Sequence, residues 1–425
     1  MKRNIFFSVL ISLFAMVSTA QTDVTIATSK YRRSSLYTML TMDAASPYAE
    51  EIKSYFINSP IPDKFNNHNL ENRIYTVYLP EPKEMMSFFL GGSKSTDVNA
   101  VADDFAKKNE KQLDDIAKNL IAKWFNRSDK GGFNMELVKS RGTYDASALD
   151  VARSKNDQRG MALLADAGEE LISKTFVLVN EFKYVSKEEV AKKASGLLSA
   201  FGQAAGAAGL GDISTAATIT SAGVTIAGKG YVVKTKGHLY QLKWDEETAA
   251  IFYNDFWADD KTITPEKKKA FDETNIFKLV YIGTDDSWAD VQSSTFTKKS
   301  EVELVQKATM KAMDAVIVKL QKSHDEFKTK TPLFTGEPIT AKIGLKEGLS
   351  EKSKFDVLEQ RQDKNGKTEY VEVGTIKVDT SYPIWDNRYG AEEEHPDTKV
   401  DKTYFKKISG KEFYPGMLIV QKKGK

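Results

Sequence analysis

Pro332 divides the chain into two kinds of sequence. Upstream of it, helical and strand patterns alternate over long spans. Downstream, only short strand-forming runs appear: Ile339–Ile343, Phe355–Glu359, Thr368–Val378, Thr403–Ile408 and Met417–Gln421. Gly-rich and charged turns separate them, including Asp363-Lys364-Asn365-Gly366, a hairpin signal. Short strands at close spacing with turn chemistry between them build a small all-β barrel or sandwich. The two patterns belong to separate domains, with a boundary near Lys330 and a linker marked by Pro332 and Pro338.

The upstream part opens with a mixed region, residues 21–95. Ser35–Thr41 has strand-like content, and Tyr48–Ile57 has helical spacing through Tyr48, Ile52 and Phe56. Arg73–Leu79, stopped by Pro80, reads as a strand. From residue 96 a long helix is expected to about Phe125, with apolar residues at three- and four-residue steps from Val98 to Trp124. Phe133–Lys139 reads as a strand, Ala146–Ser154 and Met161–Ile172 as helices. Thr175–Val185 is a strand whose fully apolar start suits a central position. Tyr231–Thr235 and His238–Trp244 read as a hairpin turning at Lys236-Gly237, and Thr248–Trp257 and Phe277–Gly283 as further strands. A helix from Glu301 to about Phe327 closes the domain, with Ser300 and Glu303 as its capping box. The pattern predicts an α+β architecture: an α/β sandwich over residues 96–330, with helices on one face of a mixed sheet, then a small β-barrel over 331–425.

Inside that sandwich lies an unusual stretch. Ala194–Gly230 is almost entirely Gly, Ala, Ser, Thr and aliphatic, with Asp212 as its one formal charge before Lys229. Small side chains let backbones approach closely, in a helix pair, a membrane or a subunit seam. Three readings stand: a helical hairpin packed on its own domain; a membrane-active segment contributing a hairpin to an oligomeric barrel, whose strands need only about ten residues each; or a subunit interface. For the last two, the contact residues are Leu197, Leu198, Phe201, Leu210, Ile213, Val224 and Ile226.

The amino terminus implies export. Lys2 and Arg3 precede an apolar run from Ile5 to Val17, and Ser18-Thr19-Ala20 supplies small residues before Gln21, the pattern of a signal peptide over residues 1–20. With no cysteine in the chain, neither a disulfide scaffold nor a Cys-borne lipid anchor is available. Lys plus Arg number 61 against 59 Asp plus Glu, and the leader takes two of the cations with it. A balanced chain has no global field for phosphate backbones, so no nucleic-acid partner is expected.

Enzyme signatures are sparse. The four histidines, His68, His238, His324 and His395, fall in different segments, without a zinc-protease or nucleophile-elbow motif. Gly223–Gly230 comes close to a phosphate loop, but Gly230 stands where Ser or Thr would hold magnesium and a strand follows, so no nucleotide is expected. Asp363–Glu369 reads as a hairpin turn more readily than a calcium loop, and Glu392-Glu393-Glu394-His395 as a solvated acidic turn. In the loop Pro60–Asn69, Asp63 and His68 are the candidate metal ligands, although Asx-turns explain the same composition. No catalytic residue and no cofactor is assigned. Trp244, Trp257, Trp288 and Trp385 fall in or beside strands, where core packing is their ordinary use.

The order of elements through Asp97–Trp124, Phe133–Arg141, Met161–Val185, Gly230–Trp244 and Val302–Gln321 resembles the periplasmic α/β domain of the curli-type outer-membrane secretion channel family. It is similar as well to relatives among envelope lipoproteins and flagellar accessory proteins. Lys342–Gln360 and Val373–Val378 resemble the small barrels appended to some of these. The lipid-bearing Cys of the channels is absent here, and residues 21–95 have no counterpart. The resemblance implies a binding or assembly domain, oligomerisation, and no catalytic residues. The resulting expectation is a non-enzymatic exported envelope protein of a Gram-negative bacterium, in the periplasm or outer membrane, acting in assembly, scaffolding or outer-membrane association. Its partners would be other envelope proteins or itself. The alternative is a secreted enzyme or glycan-binding protein with a site between the domains.

Overall fold

The computed structural model describes residues 34–41, 49–58, 65, 107, 109–145, 169, 171–186, 229–293, 300–328, 330–362, 368–388, 391 and 400–422. The signal-peptide region, the strand expected at 73–79, the helix expected at 146–154 and the Gly/Ala-rich stretch up to residue 228 lie outside them.

The first unit is built on a four-stranded mixed sheet in the order β1 (Ser35–Thr41), β2 (Thr175–Ser186), β3 (Lys229–Leu242) and β4 (Leu279–Ser293). β1 runs parallel to β2, and the other neighbours are antiparallel. β1 therefore ties part of residues 21–95 into the sheet instead of leaving that region apart. Helix α1 (Ala49–Asn58) follows it into the same core through Ile52 and Phe56.

Helices cover both faces of this sheet, where one covered face was expected. Alternation along β2 is the cause: Phe176 and Leu178 point into one core, Val177 and Val179 into the other, and a strand apolar on both sides must be buried on both. On the first face lie α1 and the long helix α6 (Glu301–Ser323). On the second lie α2 (Glu110–Trp124), α3 (Glu136–Asp145), α4 (Glu246–Ile251) with the π-turn at Phe252–Phe256, and α5 (Pro265–Glu273). An aromatic cluster knits this side, with Phe125 stacked on Phe252 at 4.5 Å between ring centres and Phe133 edge-on to Phe252 and Phe271.

Three strand expectations give way to helix or continuous strand. Phe133–Lys139 turns into α3, because Asn134 Oδ1 accepts the Glu136 N–H at 3.0 Å and starts a helix there. Thr248–Trp257 is helical despite its β-branched and aromatic content. Asp245 caps it, accepting from Thr248 N–H, and its aromatic side chains serve the core as a helix face. Lys236-Gly237 is not a turn: β3 runs through it without a break, and Gly237 pairs with Asn180 and Asp285. A Cβ on Gly237 would lie 2.9 Å from Leu178 Cδ1 and 3.0 Å from Val316 Cγ2, so glycine here admits α6 against the sheet.

The second unit is a closed antiparallel barrel. Its strands are β5 (Thr331–Gly336), β6 (Ile339–Ala341), β7 (Lys354–Gln362), β8 (Thr368–Val378), β9 (Thr403–Gly410) and β10 (Leu418–Gln421). They are ordered β10-β5-β6-β9-β8-β7, and β10 pairing with β7 closes the ring. β5 occupies the span taken for a linker. Pro332 sits opposite Leu418, and the neighbouring Leu333 N–H donates to Met417 O. Leu333, Phe355, Val357, Ile376, Phe405 and Ile419 fill the interior.

Candidate functional site

Two arrangements bring chemically capable side chains together. The first crosses three strands on the second face of the sheet. The register sets His238 of β3 beside Thr284 of β4, with Glu181 of β2 one pleat along. His238 Nε2 lies 3.0 Å from Glu181 Oε1, and its Nδ1 lies 2.8 Å from Thr284 Oγ1. Tyr281 Oη donates to that same Thr284 oxygen at 2.8 Å. Nε2–H donates to the Glu181 carboxylate, and the Nδ1–Thr284 Oγ1 bond continues the chain across to β4. His238 is buried, at 1% exposure.

Burial pushes the Glu181 carboxyl up, but the His238 hydrogen bond, the His238 charge and Lys236 together outweigh it and hold the group below the usual range. Burial lowers the Lys236 ammonium to about 8, with Glu181 opposing that shift. Carboxylate, imidazole and hydroxyl stand in the order used for nucleophile activation, yet the hydroxyl is packed against the sheet and already accepts from Tyr281. This cluster acts as a polar clamp across β2, β3 and β4. Sequence reading dispersed it, because only strand register joins Glu181, His238 and Thr284.

The second arrangement is a cleft of about 1070 Å³ between the carboxy-terminal end of α6 and the barrel. Gln321 and Lys322 come from α6, residues Glu347–Ser353 from the loop leading into β7, Lys354 from β7, Lys377 from β8, and Gln421 and Lys422 from β10 and its exit. Some of the lining charges are matched. Lys422 pairs with Asp356 at 2.6 Å, Lys328 with Asp325 at 2.6 Å, and Glu347 accepts from Gly344 N–H and Asn387 Nδ2. Lys322, Lys352, Lys354 and Lys377 are exposed, and among the described residues none has a carboxylate partner. Lys346, just behind the cleft, pairs with Asp314 of α6 at 3.7 Å, an ion pair between the two units.

None of the site residues expected from sequence falls in either arrangement. Asp63, His68, Leu197, Leu198, Phe201, Leu210, Ile213, Val224 and Ile226 all lie outside the described residues, as do His395 and the Glu392–Glu394 run. Of the near phosphate loop, Lys229 and Gly230 are seen, and they open β3. His324 caps the end of α6, and Trp244 and Trp257 pack at the edge of the second core. Among the described residues no group of three or more acidic or His side chains is placed to hold a metal, and no helix is long and apolar enough to cross a membrane. An α+β unit followed by a closed six-stranded barrel is the class these features define. No family model matches the chain, and no curated protein matches it significantly.

Proposed function

We propose that the protein is a non-enzymatic, exported envelope component that works by contact, in assembly, scaffolding or outer-membrane association, with residues 194–230 as its contact element. The supporting observation is the register of β2 with β3. Ser186 pairs with Tyr231 at the end of the ladder, so the chain leaves and re-enters the sheet at adjacent positions. The connection between the two strands thus begins and ends on one ladder, and within it the near-uncharged, small-residue composition of residues 194–228 suits packing against a partner or a lipid surface. The signal-peptide pattern at residues 1–20 supports the same reading. Fractionation of the native host envelope tests it. The intact protein sediments with membranes or with an envelope complex, and a variant in which a short turn replaces residues 194–228 is released in folded, soluble form.

A second reading, a secreted enzyme or glycan-binding protein with a site between the domains, is favoured by the cleft between α6 and the barrel. Its signature is a ligand retained at that cleft when residues 194–228 are removed.

A further inference from the structure

We infer that the cleft between α6 and the barrel is a docking groove for an acidic polypeptide segment, a run of Asp or Glu side chains in a partner protein. The register of the barrel carries the inference. Lys354 of β7 and Lys377 of β8 are directly opposed across an antiparallel pair, and both are exposed. Like charges in that position repel and weaken the pairing. Two other lysines of the barrel are matched by carboxylates: Lys406 pairs with Asp379 at 2.8 Å, and Lys422 with Asp356. At 354 and 377 no described carboxylate answers the two ammonium groups. Lys352 lies two residues upstream, and Lys322 reaches across from α6, its Nζ 3.1 Å from where a Cβ on Gly348 would stand. Four cations from separate elements, without a carboxylate partner among the described residues, thus converge on one cavity. Within the groove, Glu351 is the one carboxylate free of a described partner.

The chemistry of the lining selects the ligand class. Its cations are all lysine, point charges on flexible stems that match successive carboxylates without fixed geometry, and it has no arginine fork for bidentate phosphate recognition. The aromatic side chain here, Phe355, is turned into the barrel core, so the groove offers charge and not a stacking face to its ligand. Gln321, Ser350 and Gln421 add neutral hydrogen-bonding groups for a peptide backbone along the same wall. The inference draws on α6 and the barrel alone, so it is independent of residues 194–230.

The test is titration of the full chain with a fluorescent ten-residue oligoglutamate peptide at low ionic strength, beside inorganic polyphosphate and a sulfated oligosaccharide. Saturable binding of oligoglutamate, weakened by added salt, is expected. The double variant Lys354→Gln/Lys377→Gln should bind it about tenfold or more weakly while melting at the same or a higher temperature, because removing the opposed charges relieves repulsion. Loss of affinity without loss of stability separates a docking role from a merely structural one. The inference is overturned if oligoglutamate fails to saturate, if the double variant binds it as the wild type does, or if polyphosphate or the sulfated sugar binds through these lysines and oligoglutamate does not.

Discussion

Gly237, in the middle of β3, lies directly beneath Val316 of the long helix, where an added Cβ would stand 3.0 Å from Val316 Cγ2. The contact fixes how closely α6 approaches the sheet. Gly237→Val introduces a residue with better strand propensity, a gain of about 0.5–1 kcal/mol over glycine, but drives its methyls into Leu178 and Val316. Overpacking costs roughly 1–3 kcal/mol and outweighs the gain. Urea unfolding should show a lower midpoint for the variant; an unchanged or higher midpoint contradicts this packing.

The capping box of α6 is fully formed. Glu303 N–H donates to Ser300 Oγ at 3.3 Å, and Ser300 N–H donates to Glu303 Oε2 at 2.7 Å. Ser300→Ala is expected to destabilise the protein by about 1 kcal/mol. In a Ser300/Glu303 double-mutant cycle the two substitutions should be non-additive, and strict additivity would show that the box is not formed in solution.

Trp124 Nε1–H donates to Thr175 Oγ1 at 2.9 Å inside the second core, and the Thr175 hydroxyl in turn donates to Leu171 O. Thr175→Val keeps the shape but strands the indole donor, at a cost of about 1–3 kcal/mol. Thermal melts of the wild type and the variant measure that cost.

The Glu181–His238 clamp gives stability a defined pH dependence. The native Glu181 carboxyl lies below its unfolded value of 4.5. Its contribution is therefore present above that pH and is lost as pH falls through the native value. Glu181→Gln still accepts a hydrogen bond but does not titrate. The wild-type advantage over this variant should be largest near neutrality and should shrink on acidification below about 4.5. Parallel melting curves across pH 3–7 would mean that the carboxylate charge contributes nothing.

Legibility in the sequence followed the range of the interactions. The capping box at Ser300 and Glu303, the apolar start of β2 and the barrel strand Thr368–Val378 are set by neighbours a few residues away, and they were readable. Gly237 was misread because a glycine that admits a helix and one that turns a chain look alike until Val316 is in place. Pro332 was misread as a linker because its tolerance in β5 depends on Leu418, far along the chain. Both candidate arrangements were invisible for the same reason. Glu181 meets His238, and Lys354 meets Lys377, only through strand register. The expected contact residues from Leu197 to Ile226 rest on composition alone and lie outside the described residues.

The central claim is that residues 194–230 form a contact element, and the mass of the native particle, extracted gently from the envelope, tests it most directly. The account predicts an intact protein in a particle several times the chain's own mass, and a folded monomer once residues 194–228 are replaced by a short turn. An intact protein that is itself a free monomer, with the same mass and solubility as the shortened one, would contradict it.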